Sequence, residues 1–339
     1  MRDVAALAGV SVGTVSNVLN SPDLVSGATR DKVQLAIDKL GWVRNESARQ
    51  LRAGKSSSVG MVVLDVTNPF FTDIVRNVEN LIYEKGYSVL VGDSAQLVVR
   101  EAKHLEQFEQ QRVGGVLLAP VGEISSDARR LPSHGIPVVL IDRAAESSGF
   151  CSVGVDDVEG GRLAVQHLID KGHRRIAFVG GPDSLVQIAD RKRGAEYAEA
   201  GSRGTAVLTV VDTPALDVAS GARVARRFAS MQRGKRPTAV FAANDLLAIG
   251  LLQGLAQAGL SVPKDVAIVG YDDIGFASAT AIPLSSVHQP RSEIGRQAVE
   301  MLFREIKAKA ESKEHDHESV RLQPRLVIRQ SSDFDRRPR

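Results

Sequence analysis

Hydrophobic and polar positions follow two different rhythms along this chain, and the change comes near Ser58. Residues 3–41 read as three short helices. The first runs from about Asp3 to Ala8 and stops at Gly9. The second runs from about Val12 to Leu19 behind Ser11, a good N-cap. In the third, behind Ser26, Val33, Ala36, Ile37 and Leu40 share one face, and Gly41 ends it. Residues 42–57 contain a polar, helix-compatible stretch from Asn45 whose one large apolar residue is Leu51, too poor in apolar surface to fold alone.

From Ser58 onward, short apolar runs alternate with amphipathic stretches. Val59–Val66, Tyr87–Gly92, Val113–Pro120 and Ile136–Asp142 read as strands. The rhythm restarts after Cys151, with strands at Arg174–Gly181, Thr205–Asp212, Thr238–Asp245 and Val266–Asp273. Strands that are apolar throughout, separated by helices, mean parallel sheets covered on both faces. Two runs of the pattern predict two similar doubly wound subdomains. Pro290–Glu314 reads as a long helix and Arg321–Arg329 as a final strand.

The 339 residues call for two or three domains. Hydrophobic residues make up 43% and charged residues 24%, ordinary for a soluble globular chain. No apolar run is long enough for a membrane span. Neither does the N-terminus read as a signal peptide, and a single cysteine, Cys151, suits a reducing compartment, so a cytoplasmic location is expected. Net charge is only +3, but residues 1–55 hold eight Lys/Arg against five acids, while the remainder balances at 35 against 35. The excess sits on the helical head, where it suits a polyanion.

Asp3–Asn20 (DVAALAGVSVGTVSNVLN) carries the most specific signal. A helix-turn-helix needs a small residue where the helices cross, glycine at the turn, and an apolar residue locking the second helix. Ala5, Gly9 and Val15 supply these. The second helix then offers its polar face to a major groove.

These residues, together with Val25–Val33 and Leu40–Ser56, resemble the DNA-binding head and hinge of the lactose-repressor (LacI/GalR) family. The resemblance continues through Asn68–Phe71, Gly172–Pro182, Arg191–Gly194, Phe241–Gly250 and Val269–Asp273, and covers nearly the whole chain. It implies an all-α helix-turn-helix head (1–44), a hinge helix and linker (45–57), and an α/β sensor and dimerisation domain (58–339) of periplasmic-binding-protein type. The sensor would comprise one subdomain at about 58–154 and 289–316 and another at about 155–288 and 317–332. It also implies base reading by Val12, Gly13 and Asn17. Val12 suits a thymine methyl and Asn17 an adenine edge; Gly13 allows only close approach. Ser11, Thr14, Ser16, Asn20 and Thr29 suit phosphates, with capping as the other reading of Thr14 and Ser16. In the matching hinge, Asn45–Ala53, Asn45 and Ala48 are DNA-facing candidates and Leu51 the wedge that enters the minor groove and kinks the operator.

The family's effector lies between the subdomains, and Asp142, Arg191, Asn244 and Asp272 fall at matching positions. Phe71 and Phe276 are expected as apolar walls. Leu216 stands where some members carry a stacking tryptophan. The expected effector is a sugar or sugar derivative, with a purine as the alternative. The expected partners are a pseudo-palindromic DNA operator, that effector and a second copy of the chain. With no leucine heptads after Arg329, a dimer without a tetramerising tail is expected.

Enzyme readings find little support. Gly54-Lys55-Ser56 resembles the end of a P-loop, but Arg49 stands where glycine is needed. No G-x-G-x-x-G follows a strand, and no cofactor is expected. His315 and His317 lie in a charged stretch and read as solvated, so no metal site is expected. A transport-type solute-binding protein would share the sensor fold but leave Asp3–Asn20 unexplained.

Overall fold

A computed structural model describes residues 1–42 and 56–334. It divides the chain into Met1–Lys55 and Ser56–Arg339, a division inside the segment read as hinge and linker.

In the first unit, α1 (Arg2–Ala8), α2 (Val12–Asn20) and α3 (Gly27–Leu40) enclose a small core of Val4, Ala5, Val15, Val33 and Ala36. Gly9 ends α1 at φ 64°, a left-handed conformation that glycine adopts without strain. Ser11 caps α2, its hydroxyl accepting from the Thr14 amide at 3.0 Å. Asn45, Ala48, Leu51 and the expected hinge helix lie outside the described residues.

The second unit contains two six-stranded sheets. The first is built from β1 (Ser58–Val63), β2 (Ser88–Asp93), β3 (Val116–Leu118), β4 (Val138–Ile141) and β5 (Cys151–Val155), with α4 (Pro69–Tyr83), α5 (Val98–Gln110) and α6 (Ser126–Arg130) between them. The second contains β6 (Arg175–Gly180), β7 (Val207–Asp212), β8 (Ala239–Ala242), β9 (Ala267–Asp272) and β10 (Ser285–His288). Its helices are α7 (Asp157–Asp170), α8 (Val186–Gly201), α9 (Val218–Ser230) and α10 (Asp245–Gln257). The long helix α11 (Arg291–Ala310) returns to the first sheet, where it packs on β3, β4, β5 and α4.

The sheets repeat one topology. Their strand orders are β11-β5-β4-β3-β1-β2 and β12-β10-β9-β8-β6-β7. In each, the first five strands in sequence lie in the doubly wound order 2-1-3-4-5 and pair in parallel. β1, β3, β4 and β5 are almost wholly buried, as parallel strands covered on both faces must be.

The C-terminal segment corrects one expectation. Arg321–Arg329 is not one strand, and 317–332 does not belong to the second subdomain alone. β11 (Ser319–Leu322) pairs in parallel with β5 at the edge of the first sheet, whereas β12 (Arg325–Val327) pairs antiparallel with β10 in the second. Pro324 stands between them and has no N–H to continue a ladder, so the strand is interrupted where the chain changes sheets.

Candidate functional site

The outward face of the head is set by capping and helix period. Ser11, Val12, Gly13 and Asn17 are exposed, while Val15 points into the core. The Thr14 hydroxyl lies 2.9 Å from Ser11 Oγ, and Thr29 Oγ1 is equally close to Ser26 Oγ. Asn20 donates to the Ser16 carbonyl at 2.9 Å and to its hydroxyl at 3.2 Å. The short polar residues therefore tie down helix ends. Val12 and Asn17 present their side chains outward, and a Cβ at Gly13 would meet only Ser11 Oγ, at 3.5 Å.

The second unit holds a cleft at the carboxyl ends of both sheets, where ligands settle in doubly wound folds. The space it encloses is about 30 Å³, room for a water molecule or two, so the two subdomains stand close together across it. Phe71, Asp142, Arg191, Asn244 and Asp272 all line it, as does Leu216. Phe276 does not: it sits on the short helical turn Gly275–Ser278, is 63% exposed and is absent from the lining.

Each polar group has a local origin. Asp142 follows β4 and Asp272 ends β9, and both occupy the left-handed region, at φ 58° and 102°. Such backbone costs about 1–3 kcal/mol per residue and persists only where surroundings enforce it. Arg191, on α8, stacks on the Tyr271 ring at 3.7 Å. It donates through Nε to Asp157 at 2.8 Å and through Nη1 to the Ala243 carbonyl at 2.8 Å, and it pairs with Asp272 at 3.7 Å. Asn244 caps α10, accepting from the Leu247 amide at 2.9 Å and donating to the Leu216 carbonyl at 3.0 Å. It shapes the cleft by fixing Leu216.

Other residues complete the site. Asn68, which caps α4, donates to Asp272 at 3.2 Å; Gln289 donates to the other Asp272 oxygen at 2.8 Å. Gln187 donates to the Asp142 carboxylate at 3.0 Å and its carbonyl at 3.1 Å. Asn68 with Asp272, and Gln187 with Asp142, join side chains of the two subdomains across the cleft. Burial, then the charge of Asp157, pushes the Asp142 carboxyl well above the usual carboxylate range. Burial likewise raises that of Asp272, against the pull of Arg191. Asp142 Oδ1 has no partner within the protein. Sequence reasoning missed Asn68, Gln187, Gln289, Asp157 and Tyr271; the positions of Asn68 and Asp157, at the start of helices following strands, were the available signal.

The head matches a model of bacterial regulatory proteins of the lacI family over residues 1–45, and residues 165–332 match a periplasmic binding protein-like domain. The chain is 34% identical over 330 residues to the HTH-type transcriptional repressor PurR of Vibrio parahaemolyticus, covering 97% of each. It is 38% identical over 316 residues to the ribose operon repressor of Escherichia coli, covering 90% of this chain and 92% of the relative. Among solved structures, the lac repressor dimer bound to operator and the anti-inducer ONPF superposes with TM-score 0.81 at 27% identity, over 97% of this chain and 98% of that one. A regulator from Enterococcus faecium with bound ribose gives 0.72 at 27% identity, over 83% and 100%.

Proposed function

The chain belongs to the LacI family of bacterial regulatory proteins and is a DNA-binding transcriptional regulator rather than an enzyme, and on that premise we propose that it is a cytoplasmic repressor, reading a pseudo-palindromic operator as a homodimer and answering to a neutral single-ring sugar. Among the described residues no helix is long and apolar enough to cross a membrane.

The observation that carries the choice of effector is the buried polar set of the cleft. Asp142 offers an unpartnered carboxylate oxygen, and Asp272 and Arg191 stand beside it. Alternating acceptors and donors suit vicinal hydroxyls. Among the described residues Arg191 is the only cation lining the cleft, against Asp65, Asp142 and Asp272, and its guanidinium is already engaged. A phosphate would therefore enter an acidic site. Among the described lining residues both aromatic rings, Phe70 and Phe71, come from the first subdomain, and the second contributes Leu185, Ile188 and Leu216, so a nucleobase would find rings on one side only. The bound ribose of the Enterococcus relative makes pentoses the first ligands to try.

Asp142, Arg191, Asp272 and Phe71 are the residues assigned to the effector, with Asn244 holding the wall. Effector binding biases the opening between subdomains and so the pairing of two hinge segments on DNA. The test is a thermal-shift screen of pentoses, hexoses, sugar phosphates and purines, followed by operator binding with each hit. A neutral pentose or hexose should raise Tm and change operator affinity. A response confined to purines or phosphorylated sugars overturns the assignment.

A further inference from the structure

Outside the cleft, four side chains of metal-ligating type meet where β5 begins. Cys151 opens β5, Glu305 lies on α11, and His315 and His317 lie on the segment that leads into β11. One ligand atom from each falls within 4.8 Å of all the others. Cys151 Sγ is 3.1 Å from His315 Nε2. Glu305 Oε1 is 3.9 Å from His315 Nε2 and 3.7 Å from His317 Nδ1. Tetrahedral zinc, with bonds of about 2.0–2.3 Å, places its ligand atoms about 3.3–3.8 Å apart, so small rotations of these side chains close the shell.

We propose that Cys151, Glu305, His315 and His317 form a structural site for a divalent transition metal of the zinc class. Glu305 is only 8% exposed, yet its Oε1 makes no hydrogen bond and faces both imidazoles. A buried carboxylate oxygen without a partner is costly, and a cation at this point removes the cost. The donor set of one thiolate, two imidazoles and one carboxylate selects zinc over magnesium or calcium, which take oxygen ligands. Charge closes as well: the thiol gives its proton to solvent on binding, and thiolate plus carboxylate neutralise a dication. The neighbouring cation, Arg304, is paired with Glu318.

The bound metal fastens the loop after α11 to the start of β5, directly before Ser319 pairs with Ser152 in the sheet. His317, 39% exposed, gives the metal an entry path.

The test uses the full untagged chain, stripped with a chelator and titrated with Zn²⁺ and with Co²⁺. One equivalent should bind and raise Tm, and the Co²⁺ form should show a thiolate-to-metal charge-transfer band with intense tetrahedral visible bands. Cys151→Ser should lose the charge-transfer band. His317→Ala, at the exposed end of the cluster and least able to disturb the fold, should weaken Zn²⁺ binding more than about tenfold, since even groups behind the ligands are worth about 10–100-fold. Failure of the wild-type chain to bind a stoichiometric equivalent, a Co²⁺ spectrum without the thiolate band, or unchanged affinity in His317→Ala overturns the site.

Discussion

Asp142 carries a buried carboxyl whose pKa lies well above the usual carboxylate range, with burial as the main cause and Asp157 the next. A raised acid contributes most to stability where it is protonated in both folded and unfolded states, below about pH 4, and that contribution falls as pH rises toward its folded value. Asp142→Asn keeps an acceptor for Gln187 and removes the charge. At neutral pH it should raise the Tm of the effector-free protein, and the gain should vanish near pH 4. Effector binding should fall sharply in the same variant. Melting curves against pH decide it; a lower Tm at neutral pH contradicts the reading. On the head, Asn17 is the exposed hydrogen-bonding side chain among the three positions proposed to read bases. Asn17→Ala should cost about 1–3 kcal/mol on the operator and relax preference at one base pair per half-site. Equal weakening on every DNA sequence would refute a base-reading role. With Gly13 bare and Val12 apolar, specificity on this proposal should lean on methyl contacts and DNA shape.

At the scale of elements, helix pairs meet with their backbones nearly touching. A Cβ at Gly161 on α7 would lie 2.0 Å from the Arg191 carbonyl on α8, and one at Gly194 would lie 1.9 Å from the Val158 carbonyl. The same close crossing joins Gly221 of α9 to Gly250 of α10, so the second subdomain uses one device twice. Gly161 thereby sets the position of Arg191. Gly161→Ala should destabilise by about 1–3 kcal/mol and weaken effector binding as well, whereas Gly201→Ala, with open space around its Cβ, should do neither. Calorimetric titration and melting of both variants separate the cases; effector affinity unchanged in Gly161→Ala would show that Arg191 does not depend on the crossing. Regular elements were legible in the sequence because buried parallel strands and amphipathic helices write their periods locally. The cleft was legible only in part. Asp142, Arg191, Asn244 and Asp272 could be placed through the family resemblance, but Asn68 meets Asp272 across 204 positions of chain, and no local period records that. Phe276 was expected to face inward because it is aromatic, yet its turn leaves it exposed. His315 and His317 read as solvated because Glu305 and Cys151, which stand beside them in space, are 10 and 164 positions from His315. Pro324 was the one visible sign that the last strand is two strands.

At the scale of the whole molecule, the proposed coupling of sensing to DNA runs through the segment around Leu51. Leu51→Ala should retain salt-dependent, non-specific binding but lose operator bending. A circular-permutation gel-shift assay that shows undiminished bending rules this out. The path of the chain through the two sheets has a further bearing, on synthesis. Each sheet receives an edge strand from one short stretch of polypeptide: β11 closes the first beside β5, and only Gln323 and Pro324 separate it from β12, which closes the second beside β10. A nascent chain emerging from the ribosome therefore exposes β5 and β10 as open edges until residues 319–327 have emerged. Both halves of the sensor can then complete their sheets together. A premature stop before Ser319 would leave two sticky edges rather than one damaged lobe, and unpaired strand edges invite association with other chains.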